Sequence, residues 1–363
     1  VPACALSDFE LEARKRLEPA IYDFGAGGAD GEVTLRENEV AFSRVGLVPR
    51  VLRGGGAPEL GVELFGSSAA MPVLIAPTAF HRLFHAEGER ATARAAALAG
   101  VIMVASLAST VAIEDVVEAA RSAAPGAAPE IWFQLNVQPD PDFTERLVRR
   151  AEAAGCRALV VTVDAPVFGF RRRDRRNGFD DLPDGLHCEN LREPGRSGEP
   201  GRVRPLAFLR ELSWEHIDRL RKLTRLPLVL KGVVRPDDAR VAAGRGVDAI
   251  IVSNHGGRQL DTVPATIELL PAIASAVEGR IPLLLDGGIR RGTDVLKAIA
   301  LGARAVAIGR PVLWGLAVAG QDGVLQVLGL LRDEIERALV LCGCRSLAEL
   351  EPSLLRLVRA ERR

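Results

Sequence analysis

Eight short apolar runs, the amphipathic Ala-rich stretches between them, and polar residues where those runs end predict an α/β protein. The class is a parallel (β/α)8, or TIM, barrel with an N-terminal helical extension and a long loop after the fourth strand. The runs are 72–79 (PVLIAPTA), 101–106 (VIMVAS), 131–136 (IWFQLN), 158–164 (ALVVTVD), 227–232 (PLVLKG), 249–257 (AIIVSNHGG), 282–290 (PLLLDGGIR) and 305–311 (AVAIGRP). Their shortness and continuous apolarity suit strands buried on both faces. Helical patterns separate them. EGERATARAAALAG (87–100) has early acidic residues and ends on Gly100, and GTDVLKAIALGA (292–303) is another. A doubly wound sheet also uses such strands, but the first run lacks the GxGxxG turn by which those sheets bind dinucleotides.

Residues 1–71 read as helices and a short hairpin closing the base and flank of a barrel formed by 72–363. The regularity breaks at 171–212, an Arg/Gly/Pro-rich segment long enough to read as a mobile lid. Asp174, Asp180, Asp181, Asp184, Glu189 and Glu193 dilute its arginines, which argues against phosphate-backbone binding. The 363 residues are 48% hydrophobic, and 47 basic side chains balance 47 acidic ones. A large core is therefore available, and a dedicated nucleic-acid binder is not expected. No run approaches the ~18 apolar residues of a membrane span, and no signal segment opens the chain. The five cysteines (4, 156, 188, 342, 344) lack metal spacing and read as reduced thiols of a cytoplasmic protein. Only four of the 47 basic residues are lysines (15, 222, 231, 297), which singles out Lys231 in the fifth run.

In a (β/α)8 barrel the chemistry sits at the C-terminal ends of the strands. Here the first run ends in Ala76, Pro77, Thr78 and Ala79, the second in Ser106, and the third in Gln134 and Asn136. The fourth gives Thr162 and Asp164, the fifth Lys231, and the sixth His255 and Arg258 within SNHGGRQLD (253–261). The seventh gives Asp286, Gly287, Gly288 and Arg290, and the eighth Gly309 and Arg310. Any one of these has a bland reading as a capped strand end; eight converging ends do not. Glycine N–H groups with Arg290 and Arg310 after the last two strands suit a phosphate. Lys231 would put a fixed cation in the barrel mouth, as a flavin ring needs when it is reduced to an anion. Gln134, Thr162 and Ser106 could bond such a ring. Together these fit FMN better than a bare sugar phosphate.

From IYDFGAGGADGEVTLREN through SNHGGRQLD to DGGIRRGTDVLKAIALGA and IGRP, the chain resembles the FMN-dependent α-hydroxy acid oxidases and dehydrogenases. Glycolate oxidase, lactate oxidase and mandelate dehydrogenase belong to that family. The resemblance implies His255 as catalytic base with Asp164 as its ionic partner, and Arg258 and Arg171 as carboxylate binders. It implies FMN contacts at Ala76, Pro77, Thr78, Ala79, Ser106, Gln134, Thr162, Lys231, Ser253, Asp286, Gly287, Gly288, Arg290, Gly309 and Arg310. It also implies a homotetramer, a small-molecule 2-hydroxy acid as substrate and O2 as its partner, with neither nucleic acid nor membrane involved.

The chain departs from that pattern in its substrate pocket. Its single tyrosine is Tyr22. Glycolate oxidase-like members carry pocket tyrosines where this chain has Phe24 and Asn136, and a bulky tryptophan where it has Ala108. Phe24 and RLFHAEGE (82–89) resemble the 4-hydroxymandelate oxidase branch, from which Asn136 also departs. The resemblance thus implies oxidation of a bulky or aromatic (S)-2-hydroxy acid to the 2-oxo acid, with O2 giving H2O2. A dehydrogenase serving a carrier or quinone, an oxidative decarboxylase, and an inactive FMN-bound partner protein are the alternatives.

Overall fold

In a computed structural model describing residues 3–54, 56–193, 195 and 201–357, eight parallel strands close into a barrel in sequence order. They are Val73–Ile75, Met103–Ser106, Ile131–Leu135, Leu159–Thr162, Leu228–Val233, Ala249–Val252, Leu283–Asp286 and Ala305–Ile308. Each falls within an expected run, the fifth passing the end of its run by one residue. Ser106, Gln134, Thr162, Lys231 and Asp286 lie within the ladders, while Asn136, Asp164, His255 and Arg290 follow the strands and turn over the barrel mouth. Strand residues alternate between two surroundings, as the pleat requires. Leu74, Ile102, Trp132, Val160, Val229, Ile251 and Leu284 fill the interior, while Ile75, Met103, Phe133 and Leu159 face the helical layer.

Helix Glu89–Ala99 ends where Gly100 takes a left-handed conformation (φ +64°), and helix Gly292–Ala300 follows the seventh strand. The last helix, Arg310–Leu341, is long and apolar enough to cross a membrane, with mean hydropathy 1.3 in its most apolar window. That window is 56% buried inside the protein, and the helix is broken at Ala319–Gly320, so it reads as a core helix. Runs of apolar residues in the sequence do not reveal it, because Gly, Gln and Asp interrupt them.

The hairpin Val62–Leu64/Ser67–Ala69 packs on the barrel interior, where Trp132 Nε1 donates to Ser67 Oγ (3.2 Å). The helices preceding it do more than cover a flank. Helices Pro19–Ala26 and Val33–Ser43 reach the catalytic mouth and bond to the turns after strands six and eight. Strand Val45–Leu47 pairs antiparallel with Leu355–Leu357, tying the two ends of the chain together.

The loop after the fourth strand carries a short helix, Arg172–Arg176, and a single turn, Glu189–Leu191. Ion pairs of Arg192 with Glu189 and of Arg204 with Glu193 and Asp140 hold its described parts. Residues 194 and 196–200 of the expected lid lie outside the described residues. Cys156, Cys188, Cys342 and Cys344 are buried and form no disulfide; burial pushes the Cys156 and Cys188 thiols up to about 12.

Candidate active site

A cavity of about 200 Å³ opens at the C-terminal end of the barrel. It is lined by every residue expected at the site except Asp164 and Ser253, which lie directly behind it. Strand register brings its floor together: Ser106 is paired with Gln134, and Thr162 with Lys231.

Lys231 is only 4% exposed. Its Nζ donates to Ser253 Oγ (3.0 Å) and faces Asp286 Oδ2 (3.2 Å). An ammonium has three protons, so one donor stays available to a ligand. The next residue, Gly232, has φ +111° and sits at a shift in the strand register. A Cβ there would lie 2.5 Å from Asp164 Cγ, so glycine makes the room in which the carboxylate sits.

Asp164 Oδ1 is 3.0 Å from His255 Nδ1, which leaves Nε2 as the ring nitrogen open to the cavity. Burial raises the Asp164 carboxyl, but the charge and hydrogen bond of His255, with Lys231 behind, hold it below the usual carboxylate range. His255 has a left-handed backbone (φ +59°), and its N–H donates to Ser253 Oγ (3.1 Å). Such a conformation is costly for a non-glycine residue and persists where neighbours over-determine it. They do so here. Asn254 exchanges paired amide hydrogen bonds with Asn38 (2.8 and 2.7 Å), and Asp261 accepts the N–H groups of Gly31 and Thr34 at the start of helix Val33–Ser43. A Cβ on Gly257 would meet Leu35 N at 2.6 Å, so only glycine lets that helix approach. The SNHGGRQLD turn is therefore architecture as well as chemistry.

Arg258 spends both Nη1 protons on the carbonyls of Phe24 and Gly27 (2.8 Å each). Its Nε–H and Nη2 protons have no acceptor among the described residues, and together they form one edge of the fork, matched to a carboxylate. Arg171 directs Nε to Asp174 Oδ2 (3.2 Å), leaving its terminal nitrogens. Burial, then the charges of Arg171 and Arg310, press the Arg258 pKa well below its ordinary value, and burial lowers that of Arg171. Among the described residues Asp174 is the one carboxylate facing this pair, and burial raises its own pKa. The excess of positive charge calls for an anion.

Phe24 lies under both arginines, with guanidinium carbons 5.1 and 5.6 Å from the ring centroid. It supports the clamp through its ring face. Tyr22 is elsewhere, stacked on Trp314 with its hydroxyl on Glu10.

The residues fit FMN, with two adjustments to the expected contacts. The N–H groups of Gly288, Gly309 and Arg310 have no acceptor among the described residues, and the last two open helix Arg310–Leu341, a favourable place for a phosphate. Arg290 faces Glu39 (2.7 Å). Arg310, expected to fork onto phosphate, donates instead to the carbonyls of Gly25, Gly27 and Gly256, leaving one proton on each terminal nitrogen. Helix Pro19–Ala26 ends there, and its last carbonyls need donors. Burial and then Arg290 bring the Arg310 pKa down to about 10. Gln134, expected to bond the ring, has both amide protons on Asn136 Oδ1 (2.8 Å) and Thr162 Oγ1 (2.9 Å). A cofactor that took the proton now on Thr162 Oγ1 would leave the Asn136 contact in place.

Sequence reasoning missed the aromatic wall. Phe80, Phe168 and Phe208 line the cavity with Leu206, and Phe168 meets Phe208 edge-on at 4.4 Å. The available signal was the apolar pieces APVFGF and PLAFL within and beside the Arg-rich loop.

The family described as FMN-dependent dehydrogenase matches residues 13–357. The chain is similar to the L-lactate oxidase of Nostoc sp. (48% identity over 360 residues; 97% of this chain, 98% of that one). It is also similar to 2-hydroxyacid oxidase 2 of Mus musculus (44% over 355 residues; 98% of each). A crystal structure of mandelate oxidase with (S)-2-phenylpropionate aligns with TM-score 0.87 at 44% identity, covering 98% of each chain.

Proposed function

Since the chain belongs to the FMN-dependent dehydrogenase family, we propose that it oxidises an (S)-2-hydroxy acid with a bulky or aromatic side group to the 2-oxo acid and returns the electrons to O2 as H2O2. It is an FMN-dependent oxidoreductase of the 2-hydroxyacid oxidase group. One observation carries the reading: the His255–Asp164 pair and the open Nε/Nη2 edge of Arg258 face one cavity whose floor holds Lys231. Bound FMN supplies the acceptor for the two electrons that leave the substrate's C–H bond.

The chain's own residues do the rest. Arg258 and Arg171 take the carboxylate and orient the acid, excluding uncharged alcohols, which would leave two buried cations uncompensated. His255 Nε2 receives the hydroxyl proton, and Asp164, held ionised, stabilises the resulting imidazolium. The open amides of Gly288, Gly309 and Arg310, with Arg290, would hold the phosphate. Lys231 would offer its free proton, and its charge, to the reduced ring.

The aromatic side group is favoured by Phe80, Phe168 and Phe208 and by Ala108, which leaves space on that wall. The mandelate oxidase structures, which hold (S)-2-phenylpropionate and benzoyl-formic acid, support the same choice. Segment 171–212 acts as a lid in this reading, since it contributes Leu206 and Phe208 to the cavity. A cytoplasmic homotetramer, implied by family resemblance, belongs to it as well; light scattering tests the assembly.

The test is anaerobic bleaching of the bound flavin by a panel of 2-hydroxy acids, followed by air. Fast bleaching by mandelate-like acids with prompt reoxidation and peroxide release is expected. Bleaching without reoxidation by air would point to a dehydrogenase using another acceptor. Benzoate with CO2 in place of the 2-oxo acid would indicate oxidative decarboxylation. A protein that binds FMN but is bleached by no hydroxy acid would reject the oxidase reading.

A further inference from the structure

The amide of Asn136 has its orientation fixed by a chain of donors that begins at the backbone. Leu107 N–H donates to Gln134 Oε1 (3.2 Å), and a peptide N–H has no other role to play. Ser106 Oγ donates to the same oxygen (3.1 Å). Gln134 Nε2 must then be the donating end of that side chain, and it gives one proton to Asn136 Oδ1 at 2.8 Å. With its oxygen held, Asn136 has only its Nδ2 protons to offer, and these have no acceptor among the described residues. Asn136 lines the cavity.

The barrel order determines what lies around it. Strands two, three and four are neighbours, so the residues following them form one wall. Past the strand ends, that wall consists of Ala108, Ala165, Phe168, Leu206 and Phe208, without a polar side-chain atom, together with Arg171, whose Nε is on Asp174 and whose terminal nitrogens belong to the carboxylate clamp. Asn136 is the one neutral polar side chain among them. In an apolar surround an unspent amide donor gains most from a partner, since leaving it bare costs free energy.

We propose that Asn136 is a specificity-determining residue that donates a hydrogen bond to an acceptor atom on the substrate's side group. This rests on the oxidase reading above and narrows its substrate class to 2-hydroxy acids with an apolar or aryl side group bearing a hydrogen-bond acceptor. The phenyl ring alone is the minimal occupant of the wall; the acceptor is what the wall selects.

The experiment compares mandelate with its 2-, 3- and 4-pyridyl counterparts at pH 8, where one ring CH is replaced by a nitrogen that accepts and cannot donate. Anaerobic flavin reduction gives kcat/KM for each acid, and flavin absorbance gives Kd for the matching 2-oxo acids. The pyridyl-over-phenyl ratio is taken for the wild type and divided by that of Asn136→Leu, which cancels the intrinsic reactivity of each acid. At least one isomer is expected to show a two- to tenfold quotient, roughly the worth of a net hydrogen bond, in both kcat/KM and Kd. Asn136→Asp keeps the shape and the Gln134 contact but presents an acceptor. It should reverse the preference, rejecting the pyridyl acids and favouring an aminophenyl acid. A quotient near one for all three isomers, with mandelate still bleaching the flavin, overturns the role of Asn136 and leaves the oxidase reading standing. If no acid bleaches the flavin, both fall.

Discussion

The two walls of the cavity are built by different forces. The wall after strands six to eight is held by directional bonds to the N-terminal helices. Asn254 is bonded to Asn38, Asp261 to Gly31 and Thr34, and Arg258 and Arg310 to the carbonyls of residues 24, 25 and 27. On the wall after strands two to four hydrogen bonds hold the backbone, between Gln259 and both neighbours of Phe168 and from Gln138 to the carbonyl before Phe208. Most of the side chains facing the cavity there, Ala108, the edge-on rings of Phe168 and Phe208, and Leu206, meet by contact. Phe168 is still 56% exposed. Proton transfer and carboxylate capture fail if a donor shifts by an ångström, so those groups sit where hydrogen bonds fix them. Apart from the Asn136 donor, the side-group wall supplies apolar area of about the right shape through dispersion contacts, which fix no single atom.

The largest effect should come from the bonded wall. His255→Ala is expected to retain FMN and lose about 10²–10⁴-fold in the rate of flavin reduction by substrate, the usual contribution of a positioned base. Stopped-flow reduction measures it. A wild-type rate in the variant would mean that the chemistry does not sit on this wall.

Arg258→Lys comes next. Lysine cannot present the Nε/Nη2 edge or bridge the carbonyls of Phe24 and Gly27 at the same time. A loss of roughly 10- to 100-fold in kcat/KM, carried mainly by KM, corresponds to the ~1.5–3 kcal/mol of a hydrogen bond to a charged group. A change confined to kcat would place Arg258 in the chemical step instead.

Asn38→Leu tests the anchoring without touching the cavity. It leaves the buried Asn254 amide partly unsatisfied, which should cost about 1–3 kcal/mol of stability in denaturant unfolding. Flavin reduction should fall as well, because the turn carrying His255 loosens. Lost stability with unchanged reduction kinetics would show that the bonds hold the fold rather than the site.

Phe208→Ala should have the smallest and most selective effect. Aryl acids lose about two- to tenfold in kcat/KM, the worth of one aromatic contact, and lactate is unaffected. An equal loss for both acids would show that the contact wall also positions the reacting atoms.

Much of this was legible before any fold was known, for reasons tied to locality. A strand buried on both faces must be a short apolar run, so PLVLKG and AIIV declare themselves. Lys231, Asp164, His255 and Arg258 fall at strand ends, where barrel geometry obliges side chains to converge. Helices Pro19–Ala26 and Val33–Ser43 were legible as helices but not as parts of the mouth. Their place depends on Asn38 meeting Asn254 and on Gly257 admitting Leu35, pairings far apart in the chain that no local pattern encodes.

The sequence by itself determined the barrel, the inventory of reacting groups and their order around the mouth, because each follows from the period of a strand and the end at which it stops. Only the tertiary structure decided how those groups spend their protons. That Arg258 keeps one edge open, that Arg310 is tied to backbone carbonyls, that Phe24 lies under two guanidinium groups and that Gln134 turns Asn136 toward the cavity all depend on which acceptors lie nearby. A donor's free valence is what remains after its neighbours are satisfied, and those neighbours are chosen by packing in three dimensions.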